Sequence, residues 1–216
     1  ILLYCKNKEA FNSSPNHLMR EKPNALKIIN KAKSLFSKIG KTIIPEDVKT
    51  VISPFEYSED VLKDFYVTYD LQLINKEFQA WLKRSDFSEG EKAYQYIDEN
   101  GDAFQTVSMA WPNKETPNSD YFIPLIHPIN GEKCPVPDKG WRYPSTTFSN
   151  MLGTNEPVEL LPNMVVKGQI VFTTGRKGNN QPRNKYLLKE NLLENTPSII
   201  NDGTSNDKLF KELGID

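Results

Sequence analysis

Within this 216-residue chain, residues 173–185 combine the side chains best suited to chemistry with a polyanion. Arg176, Lys177, Arg183 and Lys185 can neutralise phosphates, and arginine is also the side chain that most often reads guanine in the major groove. Asn179, Asn180 and Gln181 add the amides that pair bidentately with adenine. The apolar stretches on either side, 168–173 and 186–188, predict a hairpin, and a two-stranded ribbon fits the major groove. Asn, Gly and Lys are equally the ordinary residues of a polar turn, so composition alone leaves both readings open.

Other chemistry finds little support. His17 and His127 are the two histidines, and neither belongs to an H-E-x-x-H helix or stands beside a cysteine. Cys5 and Cys134 lie too far apart in sequence to suggest a metal site or a disulfide framework. Gly175-Arg176-Lys177-Gly178 lacks the G-x-x-x-x-G-K-[ST] spacing of a phosphate loop, and no G-x-G-x-x-G turn occurs. In Asp98-Glu99-Asn100-Gly101-Asp102 the glycine comes too early for an EF-hand, and Met109 stands where the distal acidic ligand belongs. Nothing selects one acid–base pair from 28 acidic side chains. No catalytic residue, metal ligand or cofactor site is read from these residues.

The charge balance sharpens the polyanion question. With 38% hydrophobic and 25% charged residues the chain has the composition of a folded protein. A net charge of -1 is not that of a typical nucleic-acid-binding domain, but the charges are segregated. Between residues 20 and 41 the lysines and Arg20 meet only Glu21, residues 46–70 are mostly acidic, and from 167 to 189 every charge is positive. No apolar run approaches the roughly 18 residues that span a bilayer, so a cytoplasmic protein is the default expectation, without a membrane partner.

These residues must be positioned by a scaffold of mixed type. Ile1-Leu2-Leu3-Tyr4-Cys5 reads as a buried strand. Pro23 opens a helix running to about Gly40, with Leu26, Ile29, Leu35, Phe36 and Ile39 as its apolar stripe. Ser58 caps a helical region reaching about Arg84, with a break near Asp70. Asn100-Gly101 marks a hairpin between 93–97 and 104–108. Ser145 caps a short helix whose Phe148, Met151 and Leu152 face inward, and strands follow at 165–173 and 186–188. Residues 208–216 read as a last helix. The fold class is α+β, helices first and short antiparallel strands after, in three parts: a strand at 1–8, a helical part at 9–89 and a β-rich part at 90–216.

In this order the pieces resemble the central region of the modification subunits of type III restriction systems, which are adenine-specific DNA methyltransferases. The resemblance rests on Ile1-Leu2-Leu3-Tyr4-Cys5-Lys6-Asn7, on Asn75-Lys76-Glu77-Phe78-Gln79-Ala80-Trp81-Leu82-Lys83, and on Lys92-Ala93-Tyr94-Gln95-Tyr96-Ile97-Asp98-Glu99-Asn100-Gly101. Ile126-His127-Pro128, Lys139-Gly140-Trp141-Arg142-Tyr143 and Pro182-Arg183-Asn184-Lys185-Tyr186-Leu187 continue it. The D-P-P-Y and F-x-G-x-G motifs of that family do not occur in this sequence. The resemblance implies a target-recognition region, inactive alone, whose parent would flip an adenine from duplex DNA and methylate it with S-adenosylmethionine. It also implies a second modification subunit and a restriction subunit as partners. The alternative is a segment that docks those subunits rather than DNA. Arg142 joins Arg176, Lys177, Arg183 and Lys185 as a DNA-binding candidate by charge and position.

Overall fold

The computed structural model describes residues 19–42, 67–115, 117–175 and 180–195. The strand expected at 1–8, the start of the second helical region at 58–66 and the helix expected at 208–216 lie outside the described residues. Along the chain run β1 (Met19–Glu21), α1 (Ala25–Lys38), β2 (Gly40–Thr42), β3 (Val67–Tyr69), α2 (Leu71–Arg84), α3 (Glu89–Lys92), β4 (Tyr96–Ile97), β5 (Ala103–Ser108), α4 (Ser145–Leu152), β6 (Val158–Leu161), β7 (Met164–Lys167), β8 (Ile170–Thr173), β9 (Arg183–Leu187) and β10 (Leu193–Asn195). The class is α+β. Among the described residues no helix is long and apolar enough to cross a membrane.

The chain divides into two compact units, residues 1–23 with 191–216 and residues 24–190. In the first, β1 pairs antiparallel with β10, and Arg20 faces Glu194 at 2.9 Å. In the second, six antiparallel strands follow the order β4-β5-β9-β8-β7-β6. The change of character expected near residue 90 falls inside this unit, because α2 packs against β4 and β6.

Local chemistry explains the helix limits. Asp70 ends β3 and caps α2, its carboxylate accepting the Leu73 N–H at 2.9 Å, so the expected break near Asp70 is a true helix start. On its inner face α2 buries Ile74, Asn75, Phe78 and Leu82. Asn75 is tolerated there because its amide is fully used: it donates to Leu71 O and Ile97 O and accepts from the Ile97 N–H at 2.8 Å. Helix α1 starts two residues later than Pro23, and its buried positions are Ala25, Ile28 and Ala32 rather than the predicted stripe. Leu26 is 66% exposed. The alanines are buried, at 3% and 0% exposure, although leucine is the more apolar residue. Phe36 stacks on Tyr69 at 3.8 Å and lies over Gly101, whose φ of 79° and lack of a Cβ admit the ring.

The sheet carries a core on each face, as the alternation of β8 requires: Ile170 and Phe172 point one way, Val171 the other. Val171 joins Tyr96, Phe104, Leu160, Met164 and Val166 on one side. On the other, Phe172 and Ile170 meet Trp141, Phe148, Met151 and Cys134. Trp141 is fully buried, and its ring N–H donates to Ile123 O at 2.9 Å. Ser145 does not cap α4 as expected. It is the first helical residue, and Asp120 accepts both its N–H, at 3.1 Å, and its hydroxyl.

Helix α3 is a single turn closed by a capping box between Ser88 and Glu91. Burial pushes the Glu91 carboxyl up, but hydrogen bonds from the backbone and side chains of Asn24 and Ser88 outweigh it and hold the pKa below the usual 4.5. A folded-state pKa below the unfolded one gives stability that is complete above the unfolded value and lost as pH falls through the folded value. Glu91→Gln is therefore expected to cost about 1–2 kcal/mol at neutral pH. In urea titrations the gap between variant and parent should shrink as the pH is lowered below about 4. A gap that stays constant with pH would show that the carboxylate charge is immaterial.

Candidate nucleic-acid interface

The expected hairpin is present at the centre of the sheet. Strand β8 pairs antiparallel with β9 through Ile170–Asn184 and Val171–Arg183, and β9 pairs on its other side with β5. The connection between β8 and β9 contains the basic pair Arg176-Lys177 and the amides. Arg176, Lys177 and Asn179 lie outside the described residues. Asn180 and Gln181 are half-buried where the connection rejoins β9. At the other shoulder the Thr174 N–H donates to Asn163 O at 3.1 Å, and Gly175 lies beside the Asn163 side chain. The loop is thereby tied to the β6–β7 turn at Pro162-Asn163.

Alternation along β9 splits the remaining candidates between the two faces of the sheet. Lys185 requires a correction as a phosphate contact. Its side chain is 8% exposed, and its ammonium lies 3.1 Å from Asp98 Oδ2 and 3.8 Å from Glu99 Oε1. It also sits over the Phe104 ring at 5.8 Å. Its charge neutralises the carboxylates of the β4–β5 turn, because pairing of β5 with β9 brings that turn beside it. Arg183, on the same face, is half-buried and donates from Nη2 to Thr106 O at 3.2 Å. Both residues therefore serve the base of the hairpin.

The opposite face of β9 presents Asn184 and Tyr186 to the segment carrying Arg142 and Tyr143. The Asn184 amide reaches the Tyr143 hydroxyl at 3.5 Å. Burial raises the Tyr186 phenol above its ordinary pKa, as does the hydrogen-bonded Tyr143 phenol, while the Arg142 guanidinium opposes the shift. Arg142, a DNA-binding candidate by charge and position, lies beside the hairpin as a half-buried partner of Tyr186.

Two features could have suggested other chemistry. Burial pushes the Cys134 thiol up to about 11, helped by the Glu132 carboxylate, so it is no nucleophile near neutral pH. Burial lowers the His127 pKa against a smaller opposing pull from Glu132, and Nδ1 accepts the Ile129 N–H at 3.3 Å. Among the described residues no group of three or more His, Cys, Asp or Glu could hold a metal ion.

The sequence reading passed over the outer face of α2. Gln72, Lys76, Gln79 and Lys83 recur there at steps of four, three and four residues, the spacing of one helical stripe. A groove of about 660 Å³ runs along the stripe, bounded by Leu161 and Pro162 of the β6–β7 turn. A second, of about 390 Å³, lies on the far side of Gln79 and Lys83 and is lined by Lys92 and Gln95. No protein-family model matches this chain, and no curated protein matches it in sequence.

Proposed function

We propose that this chain reads duplex DNA, as the target-recognition region of an adenine-specific methyltransferase whose S-adenosylmethionine chemistry is supplied by other residues. The observation that carries the reading is the β8–β9 hairpin: a basic, amide-rich connection held at both shoulders by the middle of a six-stranded sheet. In this reading Arg176 and Lys177 hold phosphates and fix the register, and the neighbouring amides read base edges. Arg183, Lys185 and Arg142 act behind them as the support that keeps the hairpin in place. Methylation of an adenine follows from the resemblance of the sequence segments, and the DNA contact from the hairpin.

The test is binding of the chain to a mixed-sequence DNA duplex, followed by fluorescence anisotropy over a range of salt. Arg176→Ala with Lys177→Ala removes two phosphate contacts. The slope of log affinity against log salt is expected to fall by about 1.8, at about 0.9 for each phosphate. Unchanged affinity at low salt would remove the hairpin from the interface.

A further inference from the structure

We infer that the DNA surface includes the outer face of α2, beside the Pro162-Asn163 turn, where Lys76 and Lys83 hold the phosphate backbone and Gln72 and Gln79 add hydrogen bonds. The inference rests on the DNA-reading proposal and names a second, independently testable half of its interface.

Three observations converge on this face. The first is the stripe itself: Gln72, Lys76 and Lys83 are exposed, and Gln79 is half-buried between the two grooves. The second is charge. Among the described residues neither Lys76 nor Lys83 has an ion-pair partner, unlike Lys185 and Lys189, which are held by Asp98 and Asp102. Each groove also carries one carboxylate, Asp70 in the larger, where it caps α2, and the exposed Glu89 in the smaller, 3.8 Å from Lys92, so the lysines outnumber the acids along both. Glu77 alone among the α2 residues is acidic, and it does not line either groove. The third is continuity. Leu161 and Pro162 form the far wall of the larger groove, and the next residue, Asn163, accepts the Thr174 N–H at the shoulder of the basic connection.

The dimensions suit a nucleic-acid backbone. Seven residues of helix separate the two lysines by about 10 Å, a span that their long, flexible stems can adjust to two phosphates of one strand. Ammonium groups at that interval can each meet a phosphate, and glutamine amides between them can donate to phosphate oxygens or sugars. Such contacts position the duplex without reading sequence, which complements the amides of the hairpin.

The experiment compares three forms of the 216-residue chain on the same duplex over a range of salt: the parent, Lys76→Ala with Lys83→Ala, and Arg176→Ala with Lys177→Ala. Near-ultraviolet circular dichroism checks that the α2 pair leaves the fold intact, as both side chains are exposed. The α2 pair is expected to weaken binding at low salt by on the order of tenfold and to reduce the salt slope by about 1.8. If only the loop pair weakens binding, the α2 inference falls while the DNA reading stands. If neither does, the DNA reading falls and the inference with it.

Discussion

Asp98→Ala is expected to destabilise the second unit by about 3–5 kcal/mol, because it leaves a buried ammonium with Glu99 alone, at 3.8 Å, and takes an acceptor from the β4–β5 turn. Asp98 is 1% exposed and does two things at once. Its Oδ1 accepts the backbone N–H groups of Asn100 and Asp102, at 3.0 and 2.9 Å, which shapes the β4–β5 turn. Its Oδ2 holds Lys185 at 3.1 Å. Two further variants separate these roles. Asp98→Asn keeps a carbonyl oxygen for the turn and loses only the charge, so it should cost less than alanine. Asp98→Ala combined with Lys185→Met removes the stranded charge and should recover much of the loss, since burying an apolar side chain in place of an ion pair is often neutral. Urea unfolding of the parent, Asp98→Ala, Lys185→Met and the double variant closes a double-mutant cycle. A coupling energy near zero would mean that the pair contributes nothing beyond its parts.

Gly168→Ala is expected to cost about 2–5 kcal/mol, the sum of a left-handed backbone and an overpacked contact. Gly168 is the first of two residues joining β7 to β8, and its φ is 58°, a region that glycine enters without steric cost. The turn presses on the end of α4. A Cβ at this position would run into the Met151 carbonyl oxygen and lie 2.7 Å from that of Leu152. These are backbone atoms that no rotamer change can move aside. The closeness has a purpose, since the Met151 carbonyl, left without a helical partner, accepts the Gln169 N–H at 2.8 Å. Thermal unfolding of the variant should show a large drop in Tm. Gly131→Ala is the control: its φ is 72°, but nothing lies within 4 Å of the added Cβ, so backbone strain acts alone there.

The sequence disclosed those parts of the fold that are governed by neighbours along the chain. A break near Asp70 could be read within the long helical region, and the structure makes it a start, because the Asp70 carboxylate serves the turn that follows. Asn100-Gly101 could be read as a hairpin tip because Gly101 needs a φ of 79°. The buried face of α1 was hidden, because ranking residues by hydrophobicity puts Leu26 ahead of Ala25 and Ala32, whereas it is the alanines that are buried. Lys185 was hidden for a different reason: its carboxylate partner lies 87 residues away. A charge pattern locates cations but does not say which of them are turned inward. The stripe on α2 needed the grooves beside it before its lysines could be distinguished from any solvated face.

The place of β9 in the sheet also sets an order of events during synthesis. Arg183 crosses to Thr106 over a separation of 77 residues, and among the described residues β9 is the strand that joins β5 to β8. At roughly 5–20 residues per second, β5 waits about 4–15 s on the ribosome with one edge unpaired. During that interval the β4–β5 hairpin offers a free ladder of N–H and C=O groups to any other extended chain nearby. Assembly of the full sheet is therefore gated by translation rather than by local hairpin closure, which takes about 1–10 μs.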